Sequence, residues 1–187
     1  PDDEYAVLHE NEKHGKTEAW YIIECDDGAE LIYGFKDKLT REQFEQSIKD
    51  NTLLDKVNRV RVKPGDVALI EAGTLHAIGA GILLAEVQQS CNTTYRVYDY
   101  NRPGLDGKPR QLHIKQSLDV TKCEKPARSL DPEGKIIHHC GFSSRLLCKS
   151  KFFTMTLIDS QSNFTDYADD KSFVSVVILD GSGTLVT

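Results

Sequence analysis

The sequence predicts a mainly β protein, a sandwich or barrel carrying one clear helix. Short apolar segments at residues 57–62, 67–72, 81–89 and 94–100 recur at close spacing. Gly-containing turns separate them, among them Lys63-Pro64-Gly65-Asp66. Their patterning is the short alternation of strands, and helical periodicity stands out in one stretch only.

Each element has its own reason. Ala19-Trp20-Tyr21-Ile22-Ile23-Glu24 is aromatic and β-branched and ends at Asp26-Asp27-Gly28, a turn signal. Residues 29–35 read as the returning strand, so 18–35 is expected to be a hairpin. Residues 40–50 form the helix: Thr40 caps it with Gln43 three residues on, and Phe44 and Ile48 make one apolar stripe. A second, short helix is expected near residues 113–120. Residues 122–133 are polar, with prolines at 126 and 132, and read as a linker. Beyond it, 136–140, 152–158 and 173–179 read as strands of a second β-unit.

Composition sets limits on function. The 187 residues suffice for one substantial core, or for one domain and part of another. A net charge of −6 argues against nonspecific nucleic-acid binding, which needs a basic face. No apolar run approaches the roughly 20 residues of a membrane-spanning helix, and the acidic start is unlike a secretory signal. Five cysteines without a CxxC pair indicate neither a disulfide framework nor a cysteine zinc site. Free thiols in a reducing cytoplasm are the plain expectation.

Three places carry candidate chemistry. The stretch Gly65-x5-Glu71-Ala72-Gly73-x2-His76 uses a turn to lift a histidine from a strand scaffold, as a metal site requires; the alternative is an ordinary turn histidine. Lys16 and Glu18, two apart, share a face of an extended segment. A carboxylate there suits a metal, and a lysine beside a dication suits proton transfer; the alternative is a solvated pair. In Tyr95-Arg96-Val97-Tyr98-Asp99-Tyr100 an alternating strand puts Arg96 on one face and Asp99 on the other. Such an arginine clamps a phosphate or stabilises an oxyanion, unless it only covers apolar surface with its stem. His138 and His139 face opposite ways on a strand and are not expected to share an ion.

Together these segments resemble the type I mannose-6-phosphate isomerases, in their compact bacterial form. The matching pieces are PDDEYA at 1–6, GKTEAWYII at 15–23 and KPGD with GTLHAIG within 63–79. LLAEVQQ and TTYRVYDYNR within 83–102 and GKPRQLHI at 107–114 complete them. The resemblance covers residues 1–120 well and the remainder loosely. It implies a cupin-type jelly-roll or β-barrel with a short helical insertion, plus part of a second C-terminal β-unit. The implied boundaries are a core at 1–121, a linker at 122–133 and a partial unit at 134–187, truncated at both ends.

The resemblance also implies interconversion of mannose 6-phosphate and fructose 6-phosphate with one Zn²⁺. By matching motif, Glu18 and His76 correspond to zinc ligands, Arg96 to the catalytic arginine and Lys16 to a proton-transfer lysine. Lys16, Arg96 and Asn92 are the implied substrate contacts. A third ligand is expected just before Pro1. Asn92 replaces an aspartate common in relatives, while Glu71 and Ala80 depart from the usual proline and asparagine around the histidine. The implied partner is a small sugar phosphate, with no nucleic acid or membrane and the oligomeric state open. A non-catalytic cupin binding a sugar or sugar phosphate is the competing reading, and a cupin oxygenase, which wants more histidines, ranks after it.

Overall fold

A computed structural model describes residues 1–100 and 102–186 of the chain. Helix α1 spans Asp3–His9, and the Asp2 side chain caps it by accepting from the Tyr5 N–H. Strands β1 (Glu18–Cys25) and β2 (Glu30–Phe35) follow, then helices α2 (Arg41–Lys49) and α3 (Leu53–Lys56). Strands β3 (Val57–Arg61), β4 (Val67–Ile70), β5 (His76–Ile78) and β6 (Ile82–Gln88) come next. Helix α4 (Ile114–Val120) precedes β7 (Ile137–His138), β8 (Phe142–Lys149) and β9 (Thr154–Ser160).

The strands form three antiparallel sheets, ordered β4-β1-β6, β3-β2-β5 and β7-β8-β9. The first two sandwich a core of Trp20, Ile22, Leu31, Tyr33, Ala68 and Ile70, drawn from both. The outer face of β3-β2-β5 is covered by Phe44, Leu53 and Val97, packed on Ile32 and Phe35. The outer face of β4-β1-β6 meets β8, where Leu147 and Cys148 pack on Ala19, Val67 and Leu69. The fold is therefore mainly β and cupin-type, as the sequence predicts, with open sheets rather than a closed barrel.

Helix α2 forms for the expected reason. Thr40 and Gln43 make a reciprocal capping box, a feature worth about 0.5–2 kcal/mol. Its Phe44 ring meets Phe35 edge to face at 5.4 Å. The stretch 122–133 is pinned to the body. Leu39 N–H donates to Cys123 O at 2.8 Å and Val67 N–H to Leu130 O at 2.7 Å. Gly34 has φ +68°, and a Cβ there would lie 2.5 Å from Pro126 Cδ, so only glycine fits beneath that stretch.

Several expectations are corrected. Residues 18–35 are not a hairpin: β1 pairs with β4 and β6, whereas β2 pairs with β3 and β5. The Asp26-Asp27-Gly28 turn thus carries the chain from one sheet to the other. Residues 94–100 form no strand, because no neighbouring strand offers them a ladder, and Tyr100 takes φ +53°. Arg96 and Asp99 are consequently drawn together rather than placed on opposite faces. Residues 173–179 likewise form no strand, and Val176, Val177 and Ile178 are exposed. The polar strand β8 and helix α1 were not anticipated.

Candidate metal and active site

Glu18 opens β1, the central strand of its sheet, and its side chain turns inward with Trp20 and Ile22. It is 1% exposed. Lys16 Nζ lies 3.1 Å from Glu18 Oε2, and His76 Nε2 lies 2.6 Å from Glu18 Oε1. The period-2 argument that Lys16 and Glu18 share a face is thereby realised in the structure. His76 reaches them because β5 pairs with β2 at Tyr33↔His76, one of the inward positions.

The hydrogen bonds fix what His76 offers. Its Nδ1 stands 2.7 Å from the Thr74 carbonyl, which only accepts, so Nδ1 carries the proton and donates. Nε2 then faces Glu18 Oε1. A neutral ring would set lone pair against lone pair, so a proton or a cation must bridge them. Glu18 Oε2 has the opposite peculiarity. It is buried, and although Lys16 stands close, no donor reaches it with hydrogen-bonding geometry. Burial pushes the Glu18 carboxyl pKa up, but the His76 hydrogen bond and charge, with Lys16, outweigh it and hold it below its usual range.

A buried carboxylate with one orphaned oxygen, facing an imidazole Nε2 through the other, is a fitting pair of donors for a divalent ion such as Zn²⁺ once Nε2 gives up its proton. It is not a full set, since catalytic zinc takes three protein ligands. Among the described residues no three His, Cys, Asp or Glu side chains come together in this way.

The surroundings hold the site rigid. Trp20 Nε1–H donates to Glu86 Oε2 at 3.0 Å across the β1–β6 register, and its ring meets His76 edge to face. The chain start is braced alongside. Lys16 N–H donates to Pro1 O, Gly15 N–H to Asp3 Oδ1, and Gln89 Nε2 to the same Asp3 oxygen. Asp3, Thr74, Glu86 and Gln89 all lie in the segments that resemble the family, but nothing in those segments marks the contacts they make here.

Arg96 and Asn92 stand apart from this group. Arg96 Nη1 donates to Gln111 O at 3.3 Å and its Nε lies 3.7 Å from Asp99 Oδ1. No hydrogen bond or ion pair joins it to Glu18 or His76 among the described residues. Asn92 is exposed, and its backbone N–H donates to Glu12 Oε1. Asp99 is the surprise of this region: it is buried and also binds Arg110 and Arg102. A cleft of about 830 Å³ lies on the other side of β1, lined by Thr17, Leu69, Gln89 and Lys151. None of Lys16, Glu18, His76 or Arg96 lines it, so it is not a continuation of this site.

The fold defines a cupin-type protein, and its two inner sheets enclose a buried carboxylate–imidazole pair. Comparison with known proteins narrows this further. No family model matches the chain. It is 39% identical to the mannose-6-phosphate isomerase ManA of Bacillus subtilis, over all of the chain and 58% of that protein. It is 44% identical to the mannose-6-phosphate isomerase of Streptococcus mutans, over 83% of the chain and 48% of that protein. The crystal structure of the Bacillus subtilis mannose 6-phosphate isomerase superposes with a TM-score of 0.77 at 32% identity, covering 86% of this chain and 50% of that one. A putative mannosephosphate isomerase from Archaeoglobus fulgidus, at 19% identity and TM-score 0.54, shares the fold. The chain is thus a homologue of the mannose-6-phosphate isomerases along its whole length. It spans about half the length of the curated relatives it matches.

Proposed function

We propose that the protein interconverts mannose 6-phosphate and fructose 6-phosphate. The observation that carries this is the inward trio of Lys16, Glu18 and His76 in a chain homologous to proteins of that name. Glu18 and His76 would hold a Zn²⁺ as two of its protein ligands. Bound there, the ion supplies Lewis-acid stabilisation of negative charge on the substrate oxygens.

The chain's own residues supply the rest. Moving the carbonyl between C1 and C2 takes a proton from one carbon and returns it to the other through an enediol. Lys16 Nζ, 3.1 Å from a carboxylate at the mouth of β1, is placed to hold and move that proton. Arg96 contributes fixed positive charge to the substrate, and with Lys16 and Asn92 it contacts the sugar phosphate. The sealed Trp20–Tyr33 core beneath the trio excludes water from below. The reaction is a cytoplasmic one, and no described helix is long and apolar enough to cross a membrane.

A coupled isomerase assay on the full-length protein, with metal analysis, tests the proposal. Glu18→Ala and His76→Ala are expected to lose both zinc and turnover. A zinc-replete, active His76→Ala variant overturns the site. Tight sugar-phosphate binding without any turnover in the wild type favours instead a non-catalytic cupin.

A further inference from the structure

The segment Gly107–Ile114, whose Gln111 carbonyl accepts from the Arg96 guanidinium, also holds the Arg96 backbone. Its His113 immediately precedes α4 and is half-buried. Its backbone N–H donates to the Arg96 carbonyl at 2.7 Å. In return, the Arg96 backbone N–H donates to His113 Nδ1 at 3.1 Å. An N–H never accepts, so Nδ1 presents its lone pair and the ring proton sits on Nε2. This is the opposite tautomer to His76, whose Nδ1 donates to a carbonyl. The tautomer is set by what each ring faces.

The clamp is anchored at both ends. His113 O accepts the first backbone bond of α4 from Ser117 N–H at 2.9 Å. Helix α4 is itself tied down by Arg41, which donates to Leu118 O and pairs with Asp119. On the other side Val97, next to Arg96, is buried with Leu75 and Ala77, the residues flanking His76. The loop carrying Arg96 has no strand ladder to fix its backbone. It relies on His113 and Val97 instead.

We infer that His113 is a positioning residue for Arg96: its Nδ1 lone pair holds the Arg96 backbone in register with the His76 strand. The inference rests on the catalytic reading of Arg96, and its requirement is specific. The position needs an acceptor at the Nδ1 location on a short side chain, which asparagine Oδ1 reproduces and glutamine Oε1 overshoots.

The test uses the full-length enzyme, with kcat, KM and thermal midpoint measured for each variant. His113→Asn is expected to keep kcat within about threefold. His113→Gln and His113→Ala are expected to lower it by about tenfold to hundredfold, with KM little changed. In an Arg96→Ala background, His113→Ala then costs no further kcat although the thermal midpoint still falls. If His113→Ala fails to fold, the Asn-against-Gln comparison decides alone. Equal losses for Asn and Gln, or losses that add to that of Arg96→Ala, overturn the inference. Full kcat in Arg96→Ala alone removes the reading of Arg96 and the inference with it. Absence of turnover in the wild type is the separate failure of the proposed activity.

Discussion

Trp20 and His76 meet edge to face, with ring centroids 5.3 Å apart and planes at 79°. The indole is 3% exposed and its N–H is satisfied by Glu86, so it is a fixed wall rather than a mobile neighbour. Truncating it opens a cavity in the core and frees the imidazole. Trp20→Ala is expected to cost about 3–5 kcal/mol of stability. Trp20→Phe keeps the edge contact and loses only the hydrogen bond to Glu86, which is exposed and turns to water, at about 0.5–1.5 kcal/mol. Denaturant midpoints rank the two, and equal midpoints refute the assigned wall.

Gly15 is a site of close backbone approach. A Cβ there would stand 2.5 Å from Asp2 C and 2.7 Å from Pro1 O. Gly15→Ala is therefore expected to push the chain start away from Lys16 and weaken the Pro1 O···H–N Lys16 bond. Faster amide exchange at Lys16, together with a lowered thermal midpoint, is the expected readout.

Asp99 accepts from Arg110, and Arg102 and Arg96 add positive charge. Despite a smaller opposing effect of burial, its pKa is held below the ordinary carboxylate range. A depressed folded pKa means stability that is present above the unfolded value of about 3.9 and lost as pH falls through the folded one. Asp99→Asn should thus be less stable than wild type at neutral pH, with the gap closing in acid. A constant gap between pH 7 and pH 2 contradicts the assignment.

Thiol reactivity separates inside from outside. Burial pushes the Cys148 thiol to about 11, while Cys140 is exposed. Iodoacetamide at pH 8 is expected to alkylate Cys140 and spare Cys148 and the buried Cys91 until denaturant is added. Peptide mass mapping reads the order.

Much of this was legible in the sequence because its causes are local. The Thr40 capping box, the strand starting at Val67 and the common face of Lys16 and Glu18 each follow from residues a few positions apart. What failed depended on partners far along the chain. Asp26-Asp27-Gly28 carries the same signal whether it closes a hairpin or turns a corner between sheets. Here Asp26 N–H donates to Gly81 O, and that distant contact decides it. Residues 94–100 alternate like a strand, but alternation without a ladder does not make one. The polar run Ser143-Ser144-Arg145 concealed β8, whose buried end, Leu147-Cys148, packs on the first sheet. In the site, Glu18 and His76 were visible by motif, whereas Glu86, Asp99 and His113 act through neighbours no motif records.

The two candidate ligands sit on strands of different standing. Glu18 begins β1, laddered on both sides, whereas His76 begins β5, three residues long and paired with β2 alone in its sheet. Hydrogen exchange should report this as two tiers of protection, the amides of β1 opening only with the whole domain and those of β5 opening locally. The centre is then assembled on a permanent half and a detachable half. Under stress it fails first at the histidine, while the carboxylate keeps its place until the domain itself unfolds.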